Sequence, residues 1–249
     1  MSIKNWLFFL FSLFVTLRAE NTTYLIDCDL TYDIFKLQVR ETNLEILNQG
    51  FTNLEPGDRI LFKCSETFTG NLFVENQSGT ETNPISIDSY VEENGQIFPS
   101  ISSNKPIIIY NSDDPDNYVD SGYKALYFKN SQCFEISNIE IQNSGGGIAF
   151  LFFDEIDFNH IYINGCDFLD IKGTAIMVVN PSKGWNPDYK NCKGNDIDIS
   201  NNNLNECGSV GIYTYQGWCN DSTTWVENNE YQKSWFTNIK IIKLINLFN

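Results

Sequence analysis

The chain has 249 residues, 32 of them acidic against 16 basic, with one histidine and seven cysteines. A formal charge of −16 argues against nucleic acid or anionic lipid as a partner, because both repel such a surface. With a single histidine, a histidine-rich zinc site and a Ser-His-Asp triad are both poor fits.

The N-terminus reads as an export signal. Lys4 precedes the apolar run 6–17, and Ala19 suits the residue before a cleavage site. That run is about a dozen residues, short of the roughly 20 a spanning helix needs, so a retained anchor is the lesser reading. Removing residues 1–19 leaves one domain, 20–249, with a charge near −18. Such acidity could attract Ca²⁺, although a soluble surface accounts for it equally. In an exported chain seven cysteines suggest disulfides with one thiol left over. Asn21, Asn76 and Asn220 each open an Asn-x-Ser/Thr sequon and are the candidate glycosylation sites.

Residues 42–51 read as a short amphipathic capping helix. Thr42 and Glu45 form a capping box, and Leu44, Leu47 and Phe51 share one face. The turn Pro56-Gly57-Asp58 follows, then a strand over 59–63. Residues 70–75, 84–89 and 105–110 read as further short strands between turn clusters. A helix ahead of the first strands would cover the open end of a stacked sheet.

A repeat then dominates. IYINGCDFLDIKGTAI (161–176) and IDISNNNLNECGSVGI (197–212) align without a gap at a shift of 36. Ile161 falls on Ile197, Ile163 on Ile199, Phe168 on Leu204, Ile171 on Cys207 and Ile176 on Ile212. A fixed spacing of buried positions marks a solenoid, whose units bury their apolar faces only against one another. Four Ile-x-Ile units, at 139–141, 161–163, 197–199 and 239–241, suggest a 22-residue coil with later insertions. Asn143, Asn164-Gly165 and Asn201 follow the first three units and suit left-handed corners.

Residues 56–90, PGDRILFKCSETFTGNLFVENQSGTETNPISIDSY, resemble the opening coils of the pectin-lyase-like superfamily, and the Ile-x-Ile units resemble its central coils. The resemblance covers about residues 40–215. It implies an all-β fold, a right-handed parallel β-helix with the short N-terminal helix as its cap. It also implies polysaccharide lyase or glycoside hydrolase chemistry. Lyases of this kind use an Arg or Lys base, often with Ca²⁺ held by carboxylates. Hydrolases of this kind use an aspartate cluster beside Gly-His-Gly, whereas His160 stands here in Asn-His-Ile.

Two insertions, about 180–195 and 216–234, leave the coil after the strands 174–179 and 211–215. Stacking brings them to one flank, where loops on a rigid scaffold commonly carry function. Trp185, Tyr189, Trp218 and Trp225, with Tyr213 and Tyr215 on the strand before the second insertion, are the candidate sugar-stacking residues. Packing of the loops explains these aromatics as well. Cys192 and Cys219, one in each insertion, are a candidate disulfide, and Cys28 with Cys64 a weaker one. Cys207 replaces an isoleucine and reads as a small buried hydrophobe.

Alternation turns Ile176, Val178, Ile212 and Thr214 inward and Ala175, Met177, Val179, Tyr213 and Tyr215 outward. The outward set has no acid or base. The nearest charged candidates for catalysis are Asp167, Asp170, Lys172, Lys183 and Glu206, with a solvated coil surface as the competing account. Asp196 and Asp198 point outward and read as surface. The expected function is secreted polysaccharide binding, with β-elimination or hydrolysis in a complete form. The competing class is a non-catalytic surface, adhesion or matrix module. The last coil begins at 238–241 and is not convincingly finished, which leaves a truncated product or an irregular fold-back cap open. A monomer is expected.

Overall fold

The computed structural model describes residues 21–26, 51, 53–99, 104–110, 124–153, 158–179, 194–208, 210–215, 224–227, 230–232 and 240–241. The capping helix over 42–50 and the export signal lie outside the described residues. So do Lys183, Trp185, Tyr189, Cys192, Trp218, Cys219 and Asn220. Phe51, the last residue of the expected helix, instead forms a parallel bridge to Val74.

All named elements are strands, and with one exception all pairings are parallel. The chain visits three sheets in turn. The first sheet stacks β1 (Thr23–Ile26), β2 (Arg59–Lys63), β5 (Ile85–Glu93), β9 (Phe134–Ser137), β12 (Phe158–Asn164), β15 (Gly194–Ser200) and β18 (Thr224–Glu227). The second stacks β3 (Thr67–Thr69), β7 (Ile107–Ile109), β10 (Glu140–Ser144), β13 (Asp167–Ile171), β16 (Asn203–Cys207) and β19 (Glu230–Gln232). The third stacks β4 (Leu72–Glu75), β8 (Lys124–Lys129), β11 (Gly146–Leu151), β14 (Thr174–Val179), β17 (Val210–Tyr215) and β20 (Lys240–Ile241). Each coil contributes one strand to each sheet, which is a parallel β-solenoid. The exception is β6 (Gln96–Pro99), which runs antiparallel to the outer half of β5 as a hairpin.

The 36-residue shift is physical. Ile161 pairs with Ile197, Ile163 with Ile199, Phe168 with Leu204, Ile171 with Cys207 and Ile176 with Ile212. The 22-residue coil is corrected. Ile139 and Ile141 belong to the second-sheet side of their coil, and the first-sheet partners of Ile161 and Ile163 are Phe134 and Ile136, 27 residues earlier. The same step of 27 separates Arg59 from Ser86 and Ile197 from Thr224. Lys240–Ile241 pairs with Tyr213 and Thr214 on the third sheet, so the fourth Ile-x-Ile unit also sits on a different face. An Ile-x-Ile pattern reports an inward-facing strand, and each coil has three of them.

Left-handed residues mark three recurrent places in three successive coils. At the start of the first-sheet strands stand Cys133, His160 and Asp196, with φ of 57°, 53° and 56°. Asn138, Gly165 and Asn201 make the corner into the second sheet, and Asn143, Asp170 and Glu206 the corner out of it. Asn143 therefore sits at a different corner from Gly165 and Asn201, although the left-handed backbone expected of all three is present. Asn and Asp tolerate this conformation better than most side chains. Asn202, buried inside the first corner, receives the Cys166 amide on Oδ1 and donates Nδ2 to the Ile163 carbonyl, both at 2.9 Å. One side chain thus closes both backbone groups between adjacent coils.

Ile, Leu, Val and Phe from all three sheets fill the interior as one cluster. Phe128, Phe134, Phe150 and Phe152 stack through its middle, with Phe128 and Phe150 rings 4.2 Å apart and 8° from parallel. Ala175 belongs to this interior, contrary to its expected outward position. Tyr213 and Met177 do lie outside, packed with Tyr127, Ala149, Leu151 and Val179 in a second apolar cluster on the third sheet. Cys64, Cys133, Cys166 and Cys207 are buried free thiols, and Cys28, the expected partner of Cys64, lies outside the described residues. Burial pushes the Cys166 and Cys207 thiols up to about 12, and both behave as small hydrophobes.

Candidate functional site

The polar chemistry gathers on the outer face of the first sheet. Strand alternation sets Cys133, just before β9, and Glu135 and Ser137 of β9 beside His160, Tyr162 and Asn164 of β12, and these beside Asp196, Asp198 and Ser200 of β15. Neighbouring strands stand about 4.8 Å apart, so side chains of successive coils meet. His160 is at the centre. It is 7% exposed, with Nδ1 2.9 Å from Asp196 Oδ2 and Nε2 3.0 Å from Glu135 Oε1. Carboxylates accept only, so both contacts are made together when both ring nitrogens carry protons. The Tyr162 ring lies 4.2 Å from the imidazole, and its hydroxyl donates to Asp196 at 2.8 Å.

Local sequence sets this geometry. The Asn159 carboxamide accepts the His160 amide at 3.0 Å and donates to Glu81. Four residues beyond His160, Asn164 donates to Ser200 Oγ at 2.9 Å, tying the coils of His160 and Asp196. Desolvation, then the hydrogen bond to Asp196 and the surrounding carboxylates, push the Tyr162 phenol up to about 12. Tyr162 is therefore a proton donor near neutrality and no base. The Glu135 and Asp196 side chains are 43% and 44% exposed. Asp198 Oδ1 is buried without a hydrogen-bond partner.

This face has defined ends. Towards the N-terminus, Tyr90 and Ile97 of the β5–β6 hairpin cover Leu25 and Leu61 on the same outer surface. Towards the other end, the Trp225 backbone is in register with Asp198. Trp225 is thus a strand residue of a sixth coil and no part of a loop insertion. The excursions themselves do leave from equivalent points, since Val179 and Tyr215 are register partners. Residues 180–193 and 216–223 then lead back to Gly194 and Thr224 on the first sheet.

The charged residues singled out from sequence lie elsewhere. Asp167 begins β13 on the second sheet and holds Lys105 Nζ at 2.7 Å. Asp170 and Glu206 are exposed and stack at one left-handed corner behind Asn143. Lys172 is exposed two residues on, its amide bonded to the Ser144 carbonyl. The structure brings Asp170 and Glu206 together in one column. Tyr213 packs on the third sheet. Among the described residues, no group of three or more His, Cys, Asp or Glu side chains could hold a metal ion.

Sequence reading missed the His160 cluster, and a signal for it existed. Extending the 36-residue alignment back by one residue sets His160 on Asp196. The 27-residue step sets Glu135 on Tyr162. No protein-family model matches the chain, and no curated protein matches it.

Proposed function

We propose that the chain is an exported, right-handed parallel β-helix of pectin-lyase-like type that binds extracellular polysaccharide across the outer face of its first sheet. The observation that carries this reading is the Glu135–His160–Asp196–Tyr162 cluster. It is a preorganised set of polar groups, on a face of serine, asparagine and aspartate side chains. Sugar hydroxyls need such convergent polar partners, and rigid strands hold them more firmly than loops. Trp185, Tyr189 and Trp218, which lie outside the described residues, are the proposed partners for stacking on sugar C–H faces.

The charge pattern favours an uncharged glycan. Glu135, Asp196 and Asp198 stand together on a chain of net charge −16, and like charges disfavour a polyanion. β-Elimination from an acidic polymer fits poorly, because no described lysine or arginine joins the cluster to serve as base. Asn76 is exposed at a left-handed turn and suits N-glycosylation in the export route, with Asn21 as the second described sequon.

Glycan-array binding of the mature chain, compared with His160→Asn and Tyr162→Phe, tests the reading. Binding of neutral oligosaccharides that weakens at least tenfold in both variants supports it. An array with no signal, or binding untouched by both variants, overturns it. Reducing-end or unsaturated product on incubation with the bound glycan would add cleavage; its absence would leave a binding module.

A further inference from the structure

We infer that Asn94 is a site of spontaneous deamidation, and that the fold protects the chain's other Asn-Gly pair, Asn164-Gly165. The reaction needs the glycine amide nitrogen to reach the asparagine side-chain carbon. In this step Gly95 N bonds to Asn94 Cγ, and the carboxamide nitrogen leaves as ammonia with the proton from the attacking amide. Water then opens the succinimide at either carbonyl to give aspartate or isoaspartate. Water is the only co-reactant.

The two sites differ in what holds them. Asn94 and Gly95 form the exposed two-residue tip of the β5–β6 hairpin, at φ of 54° and 74°, between the ladder partners Glu93 and Gln96. This is the hairpin turn that Asn-Gly favours. Nothing lies within 4 Å of where a Gly95 Cβ would stand, so the tip is open on that side. At the other pair both reacting groups are tied to the next coil. The Gly165 amide donates to the Ser200 carbonyl at 3.3 Å, and Asn164 Nδ2 donates to Ser200 Oγ at 2.9 Å. Ring closure there must first break two contacts between coils.

The product changes the hairpin that borders the polar face. A third carboxylate joins Glu92 and Glu93. Isoaspartate also lengthens the backbone of a two-residue turn by one atom, which shifts β6 against β5. Ile97 is then drawn from its packing on Leu25, Leu61 and Tyr90.

The full folded chain is held in warm, mildly alkaline buffer and sampled for peptide mass mapping, beside a sample unfolded in denaturant. Aspartate and isoaspartate should accumulate at position 94 at least tenfold faster than at 164 in the folded chain, and at similar rates when unfolded. Gly95→Ala, at an open exposed tip, should slow the reaction at 94 by tenfold or more. Equal rates at both positions in the folded chain overturn the inference. So does an unchanged Asn94 in the folded chain while the unfolded chain reacts, or a Gly95→Ala chain that reacts as fast as the parent.

Discussion

His160 and Asp196 occupy the same position in successive coils, both with left-handed backbones, and Nδ1 of one lies 2.9 Å from Oδ2 of the other. The shared backbone turn presents both side chains on the outer face in place of the flat ladder found one residue later. Glu135 closes the row from the preceding coil. One imidazole therefore ties three coils through side chains alone, independently of the ladder.

Replacing His160 with asparagine keeps a residue that accepts the left-handed backbone while removing both ring donors. Glu135 and Asp196 then face one another without the imidazole between them. The expected loss is about 1–3 kcal/mol, read as a lower denaturant midpoint with an unchanged slope. Glu206→Asn, at the corner where Asn143 stands two coils earlier, should change stability by less than about 0.5 kcal/mol and leave glycan binding intact. A His160→Asn chain as stable as the parent would show that the bridges add nothing.

Tyr162 gives a signature in alkali. Its folded value of about 12 exceeds the ordinary value of 10.0, so the folded state holds the phenolic proton more tightly than the unfolded state does. The stability this contributes is complete below pH 10 and is lost as pH rises from there to about 12. Tyr162→Phe should therefore flatten part of the alkaline fall in stability. The difference in phenolate absorbance between the two chains should titrate near 12. A difference that titrates at the ordinary tyrosine value would dissociate Tyr162 from Asp196.

The aliphatic rows were legible in the sequence because each must recur once per coil, and their spacing survives any change in surface residues. The pitch was misread because Ile-x-Ile recurs on all three faces of a coil, and sequence spacing does not say which face carries it. The strands 59–63 and 174–179 and the turn at 56–58 were recoverable from local chemistry. The His160 cluster was harder to see. Its three members come from coils joined by connections of different length, and its left-handed column reads Cys, His, Asp, which no composition rule singles out. Asp170 and Glu206 looked functional because they are acidic and near an excursion. They share a left-handed column with Asn143.

Lys124 ran against the expectation that lysines face water. It is 1% exposed, on the inward row of the third sheet, and its Nζ has no hydrogen-bond partner. The glycine in the next coil makes this possible, because a Cβ on Gly146 would stand 2.5 Å from Lys124 Cδ. Burial lowers the amine below its ordinary value of 10.5. The folded state therefore favours the neutral amine, and stability falls as pH drops below 10.5 towards the lowered value. Lys124→Met fills the same volume without the polar atom and should gain about 1–3 kcal/mol at neutral pH. The gain should shrink as pH approaches 10.5. Denaturant midpoints of both chains across that range check the sign, and a gain independent of pH would mean the amine finds a partner.

The aromatic stack predicts where the solenoid is least tolerant. Phe150 lies between Phe128 and Phe152, with Phe134 tilted against it 6.0 Å away, and it is fully buried. Phe150→Ala leaves a cavity that inward rows from two neighbouring coils cannot close without breaking register, since each row is pinned by its own ladder. The expected cost is about 3–5 kcal/mol. Gly147→Ala makes the opposite change nearby, because its Cβ would stand 2.2 Å from the Ala175 carbonyl oxygen and 2.7 Å from the Phe168 ring. Overpacking of this kind costs about 1–3 kcal/mol or more, and here it strains backbone against backbone. Coils of a solenoid are stabilised mainly by their neighbours. Both variants should therefore lower hydrogen-exchange protection first in β8, β11 and β14, before β2 and β5. Uniform loss of protection along the axis would show instead that the solenoid unfolds as one cooperative unit.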